Sequence, residues 1–223
     1  MKKLYIIANW KSYKTTQEAL EWLTEAQKML AEKPLDKEKV LILCAPFTLL
    51  SLVSQFKAEN NLPIAIGVQD ISPFGMGAYT GEINSLQAKE FATYALIGHS
   101  ERRRYFGETD EMLAKKVEQA LSQQITPMLC VTEKTTPVPN TVVIAGYEPV
   151  TAIGSGQPDT PENANEVATF IKSNNPHVQH VLYGGSVIPE NVASFTRQEN
   201  IDGVIIGGAS LDPKKLLALA YNA

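Results

Sequence analysis

Eight short apolar runs, rich in branched side chains, recur along the chain at residues 4–8, 40–45, 64–68, 95–98, 128–131, 142–147, 181–183 and 203–206. They are apolar at nearly every position, not at alternate ones, which marks strands buried on both faces and hence a parallel sheet. The stretches between them carry helical spacing. Leu20, Leu23, Ala26 or Gln27, and Leu30 mark one helix face, entered through a capping box of Thr15 and Glu18. Leu113, Val117 and Leu121 repeat the spacing. Thr160 before Pro161 reads as an N-cap with proline in the first turn, ahead of a stripe of Ala164, Val167, Ala168 and Ile171, and Pro213 opens the final helix. Strand and helix alternating eight times within 223 residues predict an α/β fold in one domain, a closed (β/α)8 barrel and not an open doubly wound sheet.

One unit is short. Only residues 132–141, with Pro137 and Pro139 among them, separate the fifth and sixth runs. A strand of about six residues rises ~20 Å, and the connection must return over that distance. Ten helical residues cover only ~15 Å, whereas the same residues extended reach ~33 Å. We therefore expect the helix between strands 5 and 6 to be missing, replaced by a short extended segment, with the barrel still closed. Counting by twos from an inward Glu148 turns Val143 and Ala145 outward, and Val138 is the residue expected to cover that surface.

Composition narrows the function. A net charge of -4 offers no basic stripe, so nucleic acid is excluded as a partner. The apolar run after Met1-Lys2-Lys3 is halted by Asn9 and Lys11, short of the ~7–15 residues of a secretory segment, so the expected location is cytoplasmic with no membrane contact. Cys44 and Cys130 each sit inside an apolar run and are expected as buried free thiols. The three histidines, His99, His177 and His180, show no metal-ligand spacing, and neither metal nor organic cofactor is expected.

Polar or glycine-rich chemistry follows five of the eight runs: Asn9-Trp10-Lys11, Gly98-His99-Ser100-Glu101-Arg102-Arg103, Tyr147-Glu148-Pro149, Tyr183-Gly184-Gly185-Ser186 and Gly207-Gly208-Ala209-Ser210. Taken singly, Glu148 is a solvated carboxylate, His99 a structural histidine, Lys11 a surface lysine and each glycine pair a tight turn. In a barrel, however, the carboxyl ends of the strands meet at one mouth, where active sites form. Pro149 biases Glu148 toward an extended backbone, and Ala152-Ile153-Gly154-Ser155-Gly156 has the small residues of a mobile, amide-presenting loop. The polar stretch after His99 can start a helical turn whose amides disfavour a protonated imidazole. Glycine-rich main chain suits a phosphate dianion.

In this order, from Ile6 to Leu211, the motifs resemble those of the triosephosphate isomerase family, whose fold is the TIM barrel. The resemblance implies interconversion of dihydroxyacetone phosphate and D-glyceraldehyde 3-phosphate through an enediolate, in glycolysis and gluconeogenesis. It makes Glu148 the base and His99 a neutral electrophile, the pairing that family uses. It gives Lys11 the stabilisation of negative charge, Glu101 the role of its carboxylate partner, Asn9 substrate positioning, and Ser100 the holding of Glu148 in the unliganded state. Gly154, Ser186, Gly207 and Gly208 match the phosphate donors. Residues 149–159 resemble the lid, with Thr151 in place of a tryptophan and Gln157-Pro158-Asp159 in place of a Lys-Thr-Ala hinge. The loop from Gly75 to Glu82, with its Thr80-Gly81-Glu82 core, resembles the one that inserts into a second subunit, so a homodimer is expected; Asp70 stands where relatives carry asparagine. Two rivals are a catalytically silent phosphate sensor and a metal-dependent phosphosugar epimerase. Asn9, Lys11, His99 and Glu148 together oppose the first, and the lack of a ligand cluster opposes the second.

Overall fold

The computed structural model describes residues 2–153 and 155–223. Eight strands, β1 (Leu4–Asn9), β2 (Lys39–Ala45), β3 (Ala65–Val68), β4 (Tyr94–Ile97), β5 (Thr126–Val131), β6 (Ile144–Tyr147), β7 (His180–Tyr183) and β8 (Gly203–Ile206), form a closed barrel in chain order. Every neighbouring pair is parallel, and β8 returns to β1 with Ile7 opposite Ile205. The helices are α1 (Thr16–Glu32), α2 (Phe47–Asn60), α3 (Ser85–Lys89), α4 (Ser100–Phe106), α5 (Asp110–Ser122), α6 (Pro161–Asn174), α7 (Val192–Thr196) and α8 (Pro213–Asn222). The alternation of one helix per strand is broken twice: β4 is followed by two helices, α4 and α5, and β5 by none.

The strands are buried on both faces, as their continuous apolar runs require. One set, including Ile7, Ile42, Leu96, Met128, Leu182 and Ile205, fills the barrel, while the alternate set packs outward beneath the helices. The Thr15 capping box on α1 forms as expected, but the buried stripe is Ala19, Trp22, Leu23, Ala26 and Leu30, and Leu20 is only half-buried. Trp22 donates its indole N–H to the Ser210 carbonyl (3.0 Å) and meets Trp10 edge to face, which ties α1 to the end of β1. On α5 the buried face is Leu113, Lys116, Val117 and Ala120; Leu121 is exposed, because seven residues bring a helix back to the same face and eight overshoot it. Thr160 caps α6 with Pro161 at its start, and Asp212 caps α8 ahead of Pro213.

Between Val131 and Ile144 the chain contains no helix. Thr136 N donates to Glu133 O (3.1 Å) and Val142 N to Pro139 O (2.9 Å), so two turns flank the proline segment. Val138 lies between them, half-buried against the outer core that includes Ala145. Val143 departs from expectation. It packs with the barrel interior, because regular pairing of β6 starts only at Ile144 and period-two counting stops there.

Candidate active site

The carboxyl ends of β1, β4, β6, β7 and β8 surround a cavity of about 260 Å3 lined by Asn9, Lys11, His99, Glu148, Ser186, Gly207 and Gly208, among others. Each of these was singled out in the sequence. Gly154, assigned there as a phosphate donor, lies outside the described residues.

Glu148 and His99 are both buried, at 1% and 5% exposure. Glu148 is fixed from two sides: its N–H donates to Val131 O (2.9 Å), and its Oε2 accepts from Ser100 N (2.9 Å). The Ser100 contact is the one the family resemblance ascribes to the unliganded state, though it is made by the main chain. Oε1 is buried with no aligned protein donor and lies 3.2 Å from His99 Nε2. His99 is the N-cap of α4, and its Nδ1 accepts the Glu101 N–H at 3.3 Å. A nitrogen that accepts a hydrogen bond carries no proton, so the neutral ring must carry its proton on Nε2, facing the cavity. The Glu101 carboxylate is farther from Nδ1, at 3.6 Å, and does not change this assignment.

Lys11 adopts a left-handed backbone (φ 52°), which aims its side chain across the mouth. Asn9 Oδ1 accepts from its N–H (2.9 Å), and Gln69 donates to its carbonyl (2.8 Å). The Lys11 ammonium pairs with Glu101 at 2.5 Å, so Glu101 serves His99 through its main chain and Lys11 through its side chain. At Gly207 an added Cβ would stand 3.0 Å from Lys11 Cε, so a larger residue there would push on the lysine side chain. Ser186, also left-handed (φ 50°), donates its hydroxyl to Ala152 O (2.7 Å) and so links the β7 turn to the loop after β6. Asp159, shortly before α6, donates its N–H to Tyr183 Oη (2.8 Å), and burial pushes that phenol up to about 12.

Some contributors were not legible beforehand. Gln69 anchors Lys11 from β3's end, and Cys130, read only as a buried thiol, lies against Glu148. Cys130 is opposite Gly146 in the β5–β6 register, where the missing side chain leaves room. Burial first, and then the Glu148 charge, push the Cys130 thiol well up, so it stays protonated and inert. Both cysteines are free and buried, as expected. Among the described residues, no group of three or more His, Cys, Asp or Glu is arranged to hold a metal ion.

A closed parallel barrel with a carboxylate facing an imidazole, a lysine at the mouth and glycine-rich turns after β7 and β8 defines a phosphate-handling acid–base enzyme. The family model described as triosephosphate isomerase matches residues 4–141 and 136–223, two stretches that meet within the shortened connector. Triosephosphate isomerases from Trichodesmium erythraeum (39% identical, 98% of either chain), Aquifex aeolicus (38%, 100% of either) and Thermus thermophilus (36%, 98% of either) are similar along its length. The chain belongs to the triosephosphate isomerase family.

Proposed function

We propose that this chain interconverts dihydroxyacetone phosphate and D-glyceraldehyde 3-phosphate, with Glu148 moving the proton and His99 polarising the oxygens. The observation that carries the assignment is the unpartnered Glu148 Oε1 beside His99 Nε2, whose proton is fixed by the Glu101 N–H on Nδ1. Glu148 takes the proton from the carbon next to the substrate carbonyl while His99 donates a hydrogen bond to the oxygen that gains charge. The hydroxyl proton passes by way of His99 to the former carbonyl oxygen, the enediolate recovers the carbon-bound proton from Glu148 on the neighbouring carbon, and no atom is gained or lost. Lys11 stabilises the negative charge, and Asn9 orients the substrate oxygens. Main-chain amides at Gly154, Ser186, Gly207 and Gly208 hold the phosphate. A coupled isomerase assay with and without a chelator tests this. The reading expects equal turnover in both. A metal-dependent epimerase or a phosphate sensor would show no isomerase turnover in either, and turnover lost to the chelator would overturn the metal-free reading.

The same reading includes a cytoplasmic homodimer. Met76 (82% exposed) and Tyr79 stand out on the 75–82 loop, with Tyr79 stacked on Phe74. Beside Lys11, a second cavity of about 290 Å3, lined by Asn9, Lys11, Ser12, Gln69, Glu101, Arg102 and Phe106, supports insertion of a partner's loop. Tyr13, Tyr105 and Phe106 are exposed large apolar side chains, the kind an interface covers. No helix among the described residues is long and apolar enough to cross a membrane.

A further inference from the structure

Arg103 is the second arginine of the motif that starts at Gly98, and none of the roles above uses it. Its guanidinium is mostly buried and makes three different bonds: Nε to Gly98 O (3.1 Å), Nη2 to Cys130 O (3.2 Å) and Nη1 to Asp110 Oδ1 (2.7 Å). Two of these are to main-chain carbonyls at the ends of adjacent strands. Gly98 has left the β4 ladder in a left-handed conformation (φ 72°) that turns its carbonyl aside just before His99, and a Cβ there would strike Leu113 at 2.5 Å. Cys130 lies in β5 one residue before Val131, the residue that accepts the Glu148 N–H, and its own thiol lies against the Glu148 carboxylate. The guanidinium is planar, with its donors in a rigid fork. By bonding both carbonyls it fixes the main chain that carries the imidazole relative to the wall that holds the carboxylate.

We propose that Arg103 is a positioning residue for the isomerase reaction: its fork between Gly98 O and Cys130 O sets the separation of His99 and Glu148. The bond to Asp110 is not the important one. Asp110 is 42% exposed, and an ion pair at that exposure contributes little. A lysine could keep the charge and one carbonyl, but a single ammonium lacks the planar fork that spans both.

The inference rests on the reading of Glu148 and His99 given above. The test compares Arg103→Ala, Arg103→Lys and Asp110→Asn in the full chain, measuring kcat, KM, inhibition by inorganic phosphate and melting temperature. Rates are referred to competent sites, counted by titration with a phosphate-bearing hydroxamate that mimics the planar enediolate. Misplacing reacting groups by about 1 Å can cost on the order of 10²-fold, so Arg103→Ala should lower kcat by roughly 10- to 100-fold. KM and phosphate inhibition should stay within about twofold, since the phosphate turns lie on β7 and β8. Arg103→Lys should fall between, and Asp110→Asn should stay within about twofold of the parent. A folded Arg103→Ala protein with kcat within about twofold of the parent would overturn the proposal. So would a kcat loss matched by equal weakening of phosphate inhibition, or an equal loss in Asp110→Asn, since each signals general loosening. If the alanine variant does not fold, Arg103→Lys decides by the same readouts. Glu148→Gln, measured alongside, separates the two claims: if it retains turnover the functional reading fails, and if only Arg103→Ala retains it, the positioning role alone fails.

Discussion

Replacing Asp70 with asparagine should make this protein more stable near neutral pH. Asp70 follows β3 and lies 2.6 Å from the buried Lys116 ammonium and 2.9 Å from Arg102 Nε. Glu108 shares both cations, 2.5 Å from Lys116 and 2.6 Å from Arg102. Burial is the largest influence on Asp70 and lifts its carboxyl from an ordinary 3.8 to about 6; the Lys116 charge opposes this and the Glu108 charge adds to it. At ~1.4 kcal/mol per pH unit, that displacement corresponds to roughly 3 kcal/mol. Because the folded state holds this proton more tightly than the unfolded chain, the group supports folding below about pH 4, and that support is lost as pH rises to about 6. Asparagine keeps an acceptor for Lys116 and never ionises. Asp70→Asn should therefore exceed the parent by about 1 to 3 kcal/mol at neutral pH, with the difference shrinking toward zero near pH 4. Urea unfolding of both proteins between about pH 4 and pH 8 measures it, and the titration of groups far from this cluster cancels in the comparison. A variant that is less stable at neutral pH, or a difference that does not change with pH, would show that ion pairing outweighs burial in this cluster.

The connector and the interface give two further outcomes. Val138→Asp places an unpaired charge against the apolar surface beside Ala145 and should cost on the order of 1 to 3 kcal/mol; an unchanged melting curve would mean that the segment covers nothing. Shortening the loop that carries Tyr79-Thr80-Gly81-Glu82 should yield monomers of poor activity, because the partner's loop no longer supports Asn9 and Lys11. Sedimentation showing a fully active wild-type monomer at assay concentration would remove the dimer from the account.

Much of the fold and the site could be read in the sequence for one reason. Parallel strands buried on both faces leave continuous apolar runs, and each run ends where a barrel places its chemistry. Asn9, Lys11, His99, Glu148, Ser186, Gly207 and Gly208 were found in this way, and they line one cavity. What escaped depends on contacts between residues far apart in the chain. Arg103 reaching Cys130 O, Gln69 reaching Lys11 O and Cys130 lying on Glu148 leave no local pattern. The Asp70, Glu108 and Lys116 cluster did leave a trace: Lys116 falls on the α5 face with Leu113, Val117 and Ala120, where a charge must find partners when buried. Val143 was misplaced because alternation applies only within a pleated strand, and apolar runs do not reveal where pleating begins.

Turnover of Glu148→Gln beside the wild type bears most directly on the central claim, that the buried Glu148 carboxylate facing His99 is the base of a triose phosphate isomerisation. Glutamine keeps the shape and an acceptor for the Ser100 N–H but cannot take a proton. The wild type should interconvert the two triose phosphates, and the variant, at an unchanged melting temperature, should turn over roughly 10²-fold more slowly or worse while KM changes much less. Near-normal turnover in a folded Glu148→Gln protein would contradict the account.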